Sequence, residues 1–325
     1  MKGKVLSVTF LLAIEAVGFG HGAALAATIK ARAAAPPPPH VMVIVEENRE
    51  YRSIIGSSNA PYINSLATTY RSATNWYAVQ HTSQNDLLEL LSGLNQGLPI
   101  GVPYSATTLV DEQHTNGIPW LAYMENMPSN CFKGRTADGL YDTIHNPFRY
   151  FTKYNSTQST GWCNSANQNT EGVLPYPGSS ALVSTLNGPN APAFVWITPN
   201  DCNNMHSDTN TGSPCASSTT NQLTKAGDTW LSSNLGPVIS SQWFSQNGII
   251  IITWDEGTSN KGCCGLTTPG GHIATIVISS NNKGLGNFTS TGDNYGTLAA
   301  IEKAYGVTLL LNSANAINGD LSGAF

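Results

Sequence analysis

Four stretches of the chain are apolar without interruption: HVMVIVEEN (40–48), APAFVWITPND (191–201), GIIIITWDEG (248–257) and IATIVIS (273–279). None alternates apolar with polar positions. A strand that shows one face to water alternates with a period of two, whereas a strand covered on both faces reads as a continuous run. The four runs therefore predict buried strands of a parallel sheet. Segments with helical spacing fall between them: APYINSLATTYR (60–71), NDLLELLSG (85–93), AGDTWLSSNLGPVISSQWF (226–244) and NYGTLAAIEKAYG (294–306), the last stopped by Gly306. This alternation predicts an α/β fold, a largely parallel central sheet sandwiched by helices. Residues 95–190 break the pattern. They are rich in Gly, Pro, Asn and Tyr, have weak periodicity, and read as an irregular insertion or cap.

Three of the apolar runs end in polar or acidic residues: Glu46, Glu47 and Asn48; Asn200 and Asp201; Asp255 and Glu256. In open α/β sheets ligands sit beyond the carboxyl ends of the strands, so these three ends are expected to converge. Crowded carboxylates repel unless they are protonated or share a cation. A divalent metal resolves the crowding, and oxygen ligands suit Mg²⁺, Ca²⁺ or Mn²⁺. The plainer alternative is that each acid opens a solvated loop.

The segment HTSQNDLLELLSG (81–93) places Ser83 just before an apolar-periodic helix, with Asp86 three residues on. Two readings stand. Ser83 and Asp86 form a capping box, or the Ser83 hydroxyl is a nucleophile at a helix N-terminus, where backbone N–H groups and the helix dipole favour an anion. A metal touching that hydroxyl would ease loss of its proton. His81 lies two residues upstream, His206 follows the second run and His272 precedes the fourth. Each stands where a phosphate contact or a proton donor for a leaving alkoxide would stand, or else packs as an ordinary imidazole.

The 325 residues are 40% hydrophobic, enough for one large core or two small ones. A formal net charge of −5 with only 11% charged residues argues against a nucleic-acid binder that works by neutralising phosphates. Lys2 and Lys4, the apolar VLSVTFLLAIEAVGFG and a small-residue ALAA site after Ala26 read as a signal peptide over 1–26, followed by a Pro-rich linker over 27–39. A catalytic domain is then expected over 40–312 and a short tail over 313–325. No later segment is apolar enough to span a membrane, so a secreted or periplasmic mature chain without a transmembrane segment is expected. The six cysteines fit an oxidising compartment. Six cysteines allow fifteen connectivities. Nearest-neighbour pairing would join Cys131 to Cys163 and Cys202 to Cys215, leaving the adjacent Cys263 and Cys264 as a vicinal pair or as thiols. No C-x-x-C pair is present to propose a zinc cage.

Together these residues resemble the bacterial phosphoesterase family of secreted acid phosphatases and phospholipase C-type enzymes, part of the alkaline phosphatase-like superfamily. The resemblance covers most of residues 40–310. VIVEENREYRSIIGSSNAPYINSLA is similar to the family's first strand, Glu-Asn motif and following helix. TNWYAVQHTSQNDLLELLSG is similar to its nucleophile segment, and ITPNDCNNMHS and IIIITWDEG…GGHIATIVIS to its later site-bearing segments. The resemblance implies a divalent metal held by Glu47, Asn48, Asp255 and Glu256, with Ser83 as nucleophile. It implies His206 as a phosphate contact or leaving-group proton donor. His81, Asp201 and His272 are candidate second-metal or phosphate contacts. The chain departs from the family in reading His-Thr-Ser for His-Pro-Ser, Asn204-Met205-His206 for Asp-Met-His, and GDNYGTL for Tyr-x-His-Tyr.

The function this implies is metal-dependent hydrolysis of a small phosphate monoester, with a phospholipase C-type phosphodiesterase as the alternative. The aromatics of 95–190, among them Trp120, Phe148 and Trp162, would line an acyl or choline pocket in that alternative, or simply pack. A carboxylic-ester serine hydrolase is disfavoured because G-x-S-x-G is absent. A non-enzymatic binding protein on a degenerate phosphoesterase fold is the remaining rival.

Overall fold

Isoleucines 249–252 are at most 5% exposed, as a strand covered on both faces requires. In the computed structural model, which describes residues 38–325 apart from 102, 156–160, 164–169 and 207–211, they lie in one of eight strands. These are β1 (His40–Glu46), β2 (Arg71–Tyr77), β3 (Trp120–Met124), β4 (Glu171–Pro175), β5 (Phe194–Thr198), β6 (Gly248–Trp254), β7 (Thr275–Ser279) and β8 (Phe288–Asp293). They form a single sheet in the order β4-β3-β5-β1-β6-β7-β2-β8. The expected signal peptide and nearly all of the linker lie outside the described residues.

The helices are α1 (Tyr51–Ile54), α2 (Pro61–Thr69), α3 (Ser83–Ser92), α4 (Leu109–Thr115), α5 (Ser179–Leu186), α6 (Thr220–Ile239), α7 (Gln242–Ser245) and α8 (Asn294–Tyr305). Helices α2, α5, α6 and α7 pack among themselves, as do α3, α4 and α8. Gly306 ends α8 in the left-handed conformation at φ 66°, which a residue without Cβ adopts freely. Among the described residues no helix is long and apolar enough to cross a membrane.

Strand β1 runs parallel to β5 on one side and to β6 on the other. The register pairs Ile44 with Ile197, and Glu46 with Trp254. Three parallel neighbours finish at one edge, and their next residues are Glu47, Pro199-Asn200-Asp201 and Asp255-Glu256. The expected convergence is thus a direct result of strand order.

Two expectations need correction. The run 273–279 yields β7, which is antiparallel to both β6 and β2. Parallel neighbours need a crossover, usually a helix. The loop of residues 255–274 contains no helix, so the chain turns back on itself. The stretch 95–190, read as an irregular insertion or cap, contributes β3 and β4 to the sheet. Most of its aromatics are core. Trp120, Phe148, Phe151 and Trp162 are at most 4% exposed, and the Trp120 and Phe148 rings stack at 5.7 Å.

All six cysteines are paired: Cys131–Cys163, Cys202–Cys215 and the adjacent Cys263–Cys264. The C-terminal residues pack back on the fold, with Leu321 and Ala324 fully buried. Glu302 of α8 fastens this segment, its carboxylate accepting from Leu310 N at 3.0 Å and Ser313 Oγ at 2.5 Å.

Burial pushes Glu302 up to about 7, with the Ser313 and Leu310 hydrogen bonds opposing. Below the ordinary glutamate pKa both folded and unfolded chains are protonated there. Above it the unfolded chain ionises first, so this group costs stability as pH rises from about 4.5 to about 7. Glu302→Gln should therefore gain on the parent across that interval, by on the order of 3 kcal/mol in total. Urea unfolding at the two ends of the interval measures it, and a pH-independent difference between the two proteins would contradict it.

Candidate active site

Ser83 opens α3, but its hydroxyl does not cap the helix. The N-cap is Thr82, whose side chain makes no capping bond, and Asp86 instead accepts from Gln80 N at 2.9 Å. The capping-box reading fails for this reason. The Ser83 hydroxyl faces the strand ends, 2.9 Å from Glu47 Oε2 and 3.2 Å from Glu256 Oε1. The Asn48 carboxamide reaches both Glu47 Oε2, at 3.3 Å, and Ser83 Oγ, at 3.5 Å. Asp255 Oδ1 accepts from Asn48 N at 3.0 Å and Glu256 N at 2.6 Å, which locks the two loop starts together.

Three residues beside these groups hold sparsely populated backbone conformations: Asn48 at φ 52°, Thr82 at φ 137° and Met205 at φ 75°. None is glycine, so each conformation carries local strain that the surrounding packing must outweigh. Each one turns the chain so that a site residue faces inward: Asn48 itself, then Ser83, then His206.

The acids are deeply buried. Glu47 and Asp255 are 1% exposed and Glu256 is 7% exposed. Burial, then the neighbouring Asp255, raises Glu47 well above the usual carboxylate range, against the Ser83 hydrogen bond. Burial and Asp255 push Glu256 up to about 7, with His81 opposing. Glu47 Oε1 and Asp255 Oδ2 are buried with no hydrogen-bond partner. Buried unpartnered carboxylate oxygens beside a carboxamide and a hydroxyl are a donor set suited to a hard divalent cation. Among the described residues, the compact trio of His, Cys, Asp or Glu ligand atoms, all within 4.8 Å, lies elsewhere, at Cys263, Cys264 and Asp293. Its sulfurs are bonded to each other and offer no thiolates. The strand-end acids are spaced more widely, with Asn48 and Ser83 between them.

His81 joins the cluster from outside, with Nδ1 2.6 Å from Glu256 Oε2. Asp201 joins through a residue that sequence reasoning missed. His145 places Nδ1 2.8 Å from Asp201 Oδ1 and Nε2 3.5 Å from Glu47 Oε2. Its ring stands edge-on to His206 at 5.3 Å. Burial works against a charge on His145, but Asp201 together with Asp142 and Asp255 outweighs it and the net shift is upward. His206 is shifted down by burial and by His145, and its Nδ1 is buried without a partner. Arg49 was also missed. It is buried and donates to the carbonyls of Asn48 and Met205, tying the first strand end to the His206 turn. Its signal was available, as a lone cation inside EENRE.

His272 does not join. Its ring stacks on Tyr51 at 4.4 Å and its Nε2 sits 2.9 Å from Thr74 O. A bridge to Tyr77 of β2 holds it on the far side of β7 from β6, so the expected metal or phosphate contact becomes a packing role.

Residues 57–308 match the Phosphoesterase family, a match that begins after Glu47 and Asn48. A phosphatidylinositol-3-phosphatase from Mycobacterium tuberculosis is 26% identical over 273 residues, 82% of this chain and 76% of its own length. A phosphate-repressible acid phosphatase from Penicillium chrysogenum is 25% identical over 192 residues, 57% of this chain and 40% of its own. The chain thus spans less than half of that fungal relative. Among solved structures, a protein in the alkaline phosphatase superfamily from Vibrio parahaemolyticus aligns with a TM-score of 0.59 at 13% identity, covering 89% of this chain and 71% of that one. That likeness is one of fold.

The Asp201–His145 contact yields a direct test. Asp201→Asn removes the negative charge that raises the imidazole pKa, so the His145 pKa should fall. NMR titration of the ring protons reads this. An unmoved His145 pKa would show that the contact is not electrostatically important.

Proposed function

The chain belongs to the Phosphoesterase family, a family of phosphoric-ester hydrolases, and from that premise we propose that it is an exported, metal-dependent phosphomonoesterase with Ser83 as nucleophile. The observation that carries the proposal is the position of the Ser83 hydroxyl. It begins a helix, makes no capping bond, and lies between buried carboxylates from two separate strands. A hydroxyl used only for stability would be expected to satisfy backbone N–H groups of its own helix.

Glu47, Asn48, Asp255 and Glu256 would hold a divalent cation, which when bound neutralises phosphoryl charge and eases ionisation of the serine. In this reading the Ser83 oxygen attacks phosphorus in line with the leaving group, forming the phosphoserine bond as the ester P–O bond breaks. The serine proton has two acceptors within 3.2 Å, Glu47 Oε2 and Glu256 Oε1. The leaving alkoxide takes a proton from the His145–His206 pair. Asp201 favours the charged form of His145, which suits it to donate, and the downward-shifted His206 suits a hydrogen bond from a neutral ring. Water then cleaves the phosphoserine and returns a proton to the same pair. His81 orients Glu256.

Three disulfides support an oxidising compartment, secreted or periplasmic. The relatives named as phosphatases support monoesters over diesters. The aromatics that would have formed an acyl or choline pocket are engaged in packing, so they lend no weight to the phospholipase C-type alternative.

Ser83→Ala should keep the fold, with stability within about 1 kcal/mol of the parent, and lose at least about a thousandfold in kcat/KM on an aryl phosphate. Activity within about threefold of the parent would remove Ser83 from the chemistry.

Chelation should inactivate the protein and lower its melting temperature, because buried acids are then left to repel one another. Asp255→Asn should weaken metal affinity while leaving the chelated protein at least as stable as the chelated parent. Calorimetry with and without chelator measures both effects, and an unchanged melting temperature with activity retained would end the metal proposal.

A further inference from the structure

At the far end of α3 from Ser83 lies a hollow of about 310 Å³, open to solvent. The helix has ten residues, which sets the two places about 15 Å apart. The walls are Asn95 and Gln96 after the helix, Asn312, Asn315 and Asn318 from the C-terminal turns, Tyr295 of α8, and Cys264 on the loop after β6. We propose that this hollow binds a neutral carbohydrate.

The chemistry of the walls selects the ligand. Five side chains are carboxamides and none of the lining residues is charged. An anion would find no cation among these walls, and the acid beside Cys264, Asp293, is fully buried behind it. A carboxamide presents a donor and an acceptor side by side, and adjacent sugar hydroxyls each offer both. The half-buried Cys264 and Leu266 add apolar surface for the C–H face of a sugar ring, and the buried Tyr295 forms the floor.

The amides are also oriented in advance. Asn312 Nδ2 donates to Gly93 O at 2.9 Å and to Asn95 Oδ1 at 2.8 Å. Asn318 Nδ2 donates to Asn312 O at 2.8 Å, and Gln96 Oε1 accepts from Thr267 Oγ1 at 3.0 Å. These bonds fix the amide planes. They leave Asn95 Nδ2, Asn312 Oδ1, Asn318 Oδ1 and Asn315 Nδ2 with no partner among the described residues. The backbone around the hollow is unusual as well. Cys264 has φ 66° and Leu311 φ 42°, left-handed conformations for residues with a Cβ, and Cys264 is bonded to its own neighbour. Strained positions of this kind gather at ligand clamps, and a wall already rigid loses little entropy on binding.

The test is calorimetric titration of the whole protein with glucose, galactose, mannose, N-acetylglucosamine and their trisaccharides. At least one should bind at a single site. Its affinity should be insensitive to salt, to inorganic phosphate and to Ser83→Ala. Asn95→Ala and Asn315→Ala, both at exposed positions, should each weaken it by about three- to tenfold while leaving aryl phosphate hydrolysis unchanged. The proposal is overturned if no sugar of the panel binds, or if the two amide variants bind like the parent. It is equally overturned if phosphate or Ser83→Ala abolishes binding, which would place the ligand in the phosphoryl site, or if glucuronate binds more tightly than glucose.

Discussion

Ser83 has one proton to donate and two buried carboxylates within reach of it. Asp255 stands close behind both, raising the pKa of each. Left to themselves such groups would separate into water, because burying like charges together is costly. They are held because their backbones cannot move. Glu47 follows β1 and Asp255 follows β6, and the two strands are hydrogen-bonded along seven paired residues. The strand cores are almost wholly inaccessible to solvent, and that apolar burial offsets the electrostatic cost at their ends. Strained turns at Asn48, Thr82 and Met205 complete the confinement.

The readable parts of the sequence were those where physics leaves no choice of residue. β1, β5 and β6 are covered on both faces, so they must be apolar throughout, and each appears as an unbroken run. The acids were conspicuous because they end those runs. β2 and β8 were not legible. β8 is an edge strand and β2 lies beside it, both are only partly covered, and their sequences RSATNWY and FTSTGD resemble loops. β3 and β4, five residues each, were hidden in a Gly- and Pro-rich stretch whose turns dominate its composition. The direction of β7 was illegible because burial sets composition whichever way a strand runs.

The site was legible where its side chains sit on strand ends and illegible where they sit on turns. His145 lies in a short 3-10 segment begun by Asp142, with no periodicity to mark it. It reaches Glu47 only because its turn packs against α3, which spacing along the chain does not encode. Ser83 could be placed but not interpreted, since a cap and a nucleophile occupy the same helix position. The side-chain direction excludes the cap. His272 misled because a histidine before a buried strand has the same appearance whichever neighbour its ring packs on.

The contacts that assemble the centre span more than half of the chain. Asn48 meets Asp255 across 207 residues, and Ser83 meets Glu256 across 173. Contacts this distant in sequence carry a large loop-closure cost and form slowly relative to local ones. No fragment emerging early in synthesis contains two of the strand ends that define the site. The order of assembly therefore acts as a safeguard. A partly made chain has no pre-formed cluster of buried carboxylates, and the contact of Ser83 with Glu256 forms only as the last central strand, β6, is zipped into the sheet.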